Sequence, residues 1–295
     1  LHFLDDPFFF LEEDMKNNID KHFLGTLWRI LFAVSIVFPF FISSAASRPR
    51  DGFPCSVQAG GSDALGQNVQ AAKAELQAGV NTWDLERLKR ARDLFINCLM
   101  KAKAENAYIL YHIALADYRM ITFFLSSANN PEAEKFLIEA QKYLEKAMAA
   151  NPSFGEAAAL YGYLLGFEIA LHPEKAMSLG MASFDYSAKA LDKDPENPRI
   201  HLLKGISLFY TPEAYGGGVD NAIEALNKAV GFFEKDVVKD PLQPSWGKEE
   251  AYTYLGLAYK QKKDYGKAKD MLKKALEANP EFGLAKKELS GLDKG

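Results

Sequence analysis

Three histidines lie beyond residue 47: His112, His172 and His201. No two stand at the HxxxH or HExxH spacing that places two metal ligands on one helix face. His112 sits among apolar and aromatic residues, and His172 precedes Pro173 at a turn, so both read as structural groups. No GxSxG elbow, GxxxxGK[ST] phosphate loop or GxGxxG turn occurs. Gly216-Gly217-Gly218 lacks the Lys and Ser/Thr of a phosphate cradle. It reads as a turn that needs positive φ ahead of a helix. The expectation is a non-enzyme with neither cofactor nor metal.

Two cysteines, Cys55 and Cys98, exclude a Cys-based zinc finger and a disulfide-rich mini-protein. Two readings of the pair stand. In an oxidising compartment a bridge would stabilise the fold by about 2–4 kcal/mol. Otherwise both are free thiols, with Cys98 buried on an amphipathic helix. The net charge is −4 over 295 residues. Without residues 1–46 the chain is close to neutral, so it lacks the basic footprint that nucleic acid requires. The basic runs around Arg87–Arg92 and Lys262–Lys269 are interleaved with acids and read as solvated faces.

Those candidate groups must be placed by helices. Leu85, Leu88, Ala91, Leu94, Phe95, Cys98 and Leu99 mark one helical face, and Phe136, Leu137, Ala140, Leu144 and Ala147 another. No stretch alternates as a strand would. Asn130-Pro131, Asn151-Pro152, Asp194-Pro195, Asp240-Pro241 and Asn279-Pro280 punctuate the helices, because proline cannot continue a preceding helix. Residues 1–14 read as an upstream extension and 15–46 as a secretory signal. That signal has basic Lys16, Lys21 and Arg29, an apolar run over 30–42, and small residues before a cut after Ala46. Gly52, Phe53 and Pro54 before Cys55 do not form a lipobox. Residues 47–65 read as a flexible leader and 66–292 as the folded body. After signal cleavage no transmembrane span is expected, and the chain is expected to be periplasmic or secreted.

The body repeats. Residues 249–282 carry Tyr252, Leu255, Gly256, Tyr259, then Ala268, Leu272, Ala275 and Pro280. Gly256 and Ala268 let two antiparallel helices approach closely while the larger residues fill the space around them. This resembles the tetratricopeptide repeat, with Tyr for Trp and Leu for Phe. Weaker units cover 66–103, 105–152, 155–195 and 198–232. The resemblance implies an all-α, right-handed superhelical solenoid of antiparallel helix pairs with expanded turns. The first helix of each pair would then line a concave face. On that basis Leu160, Tyr163, Phe167, Leu202, Leu203, Ile206, Phe209, Tyr210, Tyr254 and Leu257 line it, with Tyr215, Gly216, Gly217 and Trp246 in loops beside it. Such a lining either takes an apolar protein segment or small apolar ligand, or is closed core.

A narrower likeness rests on Pro212, Tyr215, Gly216 and Gly217, followed by Asp220 and Ala222. This segment resembles the T-component proteins of TRAP transporters. It implies an accessory with a hydrophobic cavity that works beside a solute-binding subunit. Two functions are therefore expected: a non-enzymatic periplasmic scaffold for protein partners, and, as the alternative, a ligand-binding transporter accessory.

Overall fold

The computed structural model describes residues 61–102 and 104–293. The signal at 15–46, the extension before it and Cys55 lie outside the described residues. Among the described residues eleven α-helices follow one another: α1 Gly61–Thr82, α2 Leu85–Lys101, α3 Ala107–Ser126, α4 Asn130–Ala150, α5 Gly155–Leu171, α6 Ala176–Lys193, α7 Pro198–Tyr210, α8 Val219–Phe233, α9 Lys248–Gln261, α10 Tyr265–Ala278 and α11 Gly283–Asp293. There is no strand among the described residues. Helix α1 starts at Gly61, so residues 61–65 are helical rather than part of a flexible leader.

Local chemistry sets the helix starts. The Asp84 side chain accepts from the Glu86 and Arg87 amides, Asn106 from Tyr108 and Ile109, and Asn197 from Arg199 and Ile200. Each satisfies amides that a helix N-terminus leaves without partners. Pro131 and Pro198 lie in the first turns of α4 and α7, where a missing N–H costs nothing.

The helices pack as antiparallel pairs, α1 with α2 through α9 with α10, and α11 caps the last pair. Glycine sets the closest approaches. A Cβ on Gly256 would lie 2.8 Å from Leu272 Cγ, and one on Gly205 2.7 Å from Leu226 Cγ. The array also closes on itself, since α1 reaches α11. Asn279 Nδ2 donates to Asn81 Oδ1 at 2.9 Å, and Gln77 Nε2 to Glu249 Oε1 at 2.9 Å. Helix α3 forms the spine: every residue from Ile109 to Ile121 is buried.

Residues 234–247, between α8 and α9, are not helical and run across the inner side of the array. The inner helices hold this segment by its carbonyls. Lys73 Nζ donates to Pro241 O (3.2 Å) and Gln243 O (2.8 Å), and Gln70 Nε2 to Pro241 O (3.1 Å). Arg199 Nη2 donates to Pro244 O at 2.8 Å, and Trp246 Nε1 to the Tyr111 hydroxyl at 3.1 Å. Arg199 also binds Glu156 and Asp236, tying α5 and α7 to the segment. Burial requires such partners for every carbonyl that leaves water.

Candidate functional site

The inner segment divides the expected concave lining in two. Leu160, Leu202 and Ile206 are fully buried, and Leu203 nearly so, packed into the main core. They line no open groove, which corrects the expectation for these four. A ligand meeting the folded chain does not reach them. Trp246, expected in a loop beside the groove, is 7% exposed and part of the same core.

The other half of the lining is partly exposed: Tyr163, Phe167, Phe209, Tyr210, Tyr254 and Leu257. Five of these are rings from three successive inner helices, and Tyr118 of α3 joins them. Tyr118 meets Tyr163 at 5.5 Å and 85°, and Tyr163 meets Phe167 at 5.4 Å and 90°. Phe209 meets Tyr210 at 5.1 Å and Tyr254 at 6.1 Å, and the two tyrosines lie 6.3 Å apart. These edge-to-face contacts suit the ring quadrupoles and fix the cluster. The phenols of Tyr118 and Tyr163 neighbour one another, as do those of Tyr210 and Tyr254. Burial holds Tyr163 and Tyr254 well above the ordinary phenol range, and pushes Tyr210 up to about 12. All four are therefore neutral phenols near pH 7. They offer hydrogen bonds and flat apolar faces, not a phenolate nucleophile or base.

Beneath the cluster lies an ion pair that sequence reasoning missed. Arg119 Nη1 donates to Glu250 Oε2 at 2.9 Å, and Nη2 bonds Glu250 Oε1. The guanidinium stacks over Tyr118 (4.7 Å) and Trp246 (5.0 Å). Arg119 in the largely apolar stretch Tyr111–Phe124, which also carries His112 and Asp117, was the available signal, because a charge inside a buried helix needs a partner. Nothing in the sequence pointed to Glu250, 131 residues away.

The remaining candidates are structural. Tyr215 is 58% exposed at the turn between α7 and α8. Gly216 has φ +80° and Gly218 φ +98°, as the glycine run predicts. A Cβ on Gly217 would stand 2.0 Å from Thr211 O. Turn geometry therefore accounts for the Pro212–Gly218 motif without a ligand. Cys98 is a free, buried thiol of α2. Among the described residues, no three His, Cys, Asp or Glu side chains converge as metal ligands. A shallow depression of about 490 Å³ lies between α2 and α4, lined by Lys89, Arg92, Phe124, Lys135 and Phe136. Its cations already pair with Glu86, Asp117, Glu139 and Glu132.

His112 is structural too, and its burial makes the stability of the fold depend on pH. Leu242 O lies 2.8 Å from Nε2 and can only accept, so Nε2 carries the proton and Nδ1 is a buried nitrogen without a partner. Burial, with Lys73 and Arg199 nearby, pushes its pKa down to about 3. The unfolded chain therefore takes up a proton between pH 6.5 and 3 that the folded chain refuses. The contribution is full above pH 6.5 and is lost as pH falls. His112→Phe keeps the stacking on Phe95, which lies 5.0 Å away. The wild type should lose more stability than this variant between about pH 7.5 and 5, measured by urea unfolding. Equal losses would show that His112 does not set this pH dependence.

Comparison with known proteins agrees with this geometry. The described body is a helical-repeat solenoid, and residues 249–282 match the tetratricopeptide repeat family model. Its last complete pair, α9 and α10, is thus a tetratricopeptide repeat, and the preceding pairs repeat that architecture. The HusA haemophore from Porphyromonas gingivalis is similar in fold, with TM-score 0.55 and 24% identity over 68% of this chain and 92% of that one. A thermophilic tetratricopeptide protein of Thermus thermophilus is similar at TM-score 0.51 and 17% identity, over 76% of this chain and 100% of that one. No curated protein sequence matches.

Proposed function

We propose that this chain is a non-enzymatic binding scaffold of the tetratricopeptide type that receives a short apolar protein segment on its partly exposed aromatic cluster. The observation that carries the reading is the cluster of Tyr163, Phe167, Phe209, Tyr210 and Tyr254. It is ring-packed yet partly exposed on the inner face, while the chain's own residues 241–246 fill the other half. Pre-fixed aromatic rings lose little entropy on binding and are the common anchors of protein interfaces. The filled half limits the partner to a short segment rather than an extended peptide spanning the array. The tetratricopeptide repeat at 249–282 supports protein partners. We place the chain in the periplasm or outside the cell, on the strength of the signal-like pattern at 15–46.

A photo-crosslinking residue at Phe209, with Tyr254→Ala as the disabling variant, tests the cluster. A protein cross-linked in the native envelope, captured at least about tenfold less in Tyr254→Ala, is the expected result. Equal capture from Glu224 on the solvent side of α8 would remove the cluster from the reading. If the captured protein is a solute-binding subunit, the partner is that of a transporter accessory.

The second reading is a small apolar ligand, favoured by the four neutral phenols gathered in one cluster. The similar Porphyromonas gingivalis protein is a haemophore, which makes haemin a concrete probe. Saturable 1:1 haemin binding that Tyr254→Phe weakens would move the function from protein docking to ligand carriage.

A further inference from the structure

Four consecutive carbonyls of the inner segment, Pro241 to Pro244, each accept from a side chain of a surrounding helix. Gln70 and Lys73 of α1 donate to Pro241 O, and Lys73 also to Gln243 O. His112 Nε2 of α3 donates to Leu242 O, and Arg199 Nη2 of α7 to Pro244 O, both at 2.8 Å. The segment satisfies its own amides. Leu242 N donates to Asp240 Oδ1 at 2.8 Å and Gln243 N to Asp240 O at 3.0 Å, while Pro241 and Pro244 have no N–H to place. Among the described residues, no backbone-to-backbone hydrogen bond ties 237–246 to a helix. Lifting the segment therefore breaks neither a helix ladder nor its own turn, which is what an independent opening unit requires.

We propose that residues 234–247 form an acid-released strap: protonation of His112 at mildly acidic pH favours a state in which this segment has lifted from the inner face while the helices stay folded. With the segment down, a charged imidazole has no place. Lys73 of α1 and Arg199 of α7 face the ring as like charges, and Phe95 of α2 covers it at 5.0 Å. The acids of the neighbourhood are engaged: Glu156 of α5 and Asp236 of the segment bind Arg199, and Asp240 faces Lys73. Nδ1 has no acceptor. Burial and the two cations hold the closed ring down to about 3. With Leu242 O gone from Nε2, water takes its place and the ring returns to its ordinary value of 6.5. The open state thus takes up a proton that the closed state refuses. Opening is promoted as pH falls below 6.5, by about 20-fold between about pH 7 and pH 5. Lifting uncovers Leu202, against which Gly247 packs, and frees Gln70, Lys73 and Arg199. The filled half of the inner face then becomes accessible, whatever the aromatic cluster binds.

Hydrogen exchange of the purified full chain tests this, followed at the Leu242, Gln243 and Trp246 amides and the Trp246 indole N–H. Rates are divided by the intrinsic exchange rate at each pH. The expected result is a loss of protection of about 20-fold at these sites between about pH 7 and pH 5, with the amides of α3 unchanged. His112→Phe should remove that pH dependence. So should His112→Gln, which keeps a donor for Leu242 O without a titrating ring and serves if the phenylalanine variant does not fold. Protection at 242–246 that does not change with pH would overturn the proposal. So would an equal loss across α3, which is global unfolding, or a pH dependence that persists in the His112 variants.

Discussion

Glu250→Ala should destabilise the fold by about 3–5 kcal/mol, the cost of leaving a buried charge uncompensated. Arg119 would keep its guanidinium in a site where the side chain is 8% exposed. It would lose both bonds to Glu250, and Nε already lacks a partner. The stacking over Tyr118 and Trp246 persists, but it does not replace a carboxylate. For a domain of this size the loss corresponds to a fall in melting temperature of about 10 °C. Replacing both partners, Arg119→Met with Glu250→Leu, should recover most of it, since neither apolar side chain leaves a charge behind. Urea unfolding of the four proteins measures this. A loss under about 1 kcal/mol in Glu250→Ala would mean that water reaches the pair. Because Arg119 stacks on Tyr118, the single variant should also loosen the aromatic cluster, and the double variant should not.

Trp246→Ala should cost a similar amount, about 3–5 kcal/mol, because it removes a large buried side chain from a site that cannot fully collapse. The indole fills space between α3 and the 241–245 segment and donates to the Tyr111 hydroxyl at 3.1 Å. Its loss leaves that hydroxyl, itself fully enclosed, without its donor. Trp246→Phe keeps the apolar bulk and loses the N–H, so it should cost about 1–2 kcal/mol. The two substitutions also differ in reach. In the alanine variant the amides at 242–246 should exchange hydrogen much faster than those of α3, which keeps its other neighbours. Uniform acceleration across the whole array would show that the segment has no independent opening. An unchanged exchange rate would show that the indole does not hold it. Opening this segment would uncover Leu202 and Leu203, which the native chain keeps closed.

The helix pairs were legible in the residues because their cause is local. The apolar period of Phe136–Ala147, the caps at Asp84, Asn106 and Asn197, and the small residues Gly205 and Gly256 each act within a few turns of chain. The same holds for the positive φ at Gly216 and Gly218, and for the repeat at 249–282. The lining of the inner face was only half legible. Tyr163, Phe167, Phe209, Tyr210 and Tyr254 stay partly exposed and pack ring on ring, whereas Leu160, Leu202, Leu203 and Ile206, which look alike in sequence, are core. What separates the two groups is the 234–247 segment, whose position depends on Lys73, Tyr111, His112 and Arg199 from three distant helices. The Arg119–Glu250 pair and the closure of α1 on α11 are likewise long-range. The sequence by itself determined the elements, since propensity, capping and period are read within one helix or one hairpin. The tertiary structure alone decided which faces close and which stay open, because that depends on how the turns of the superhelix meet across space.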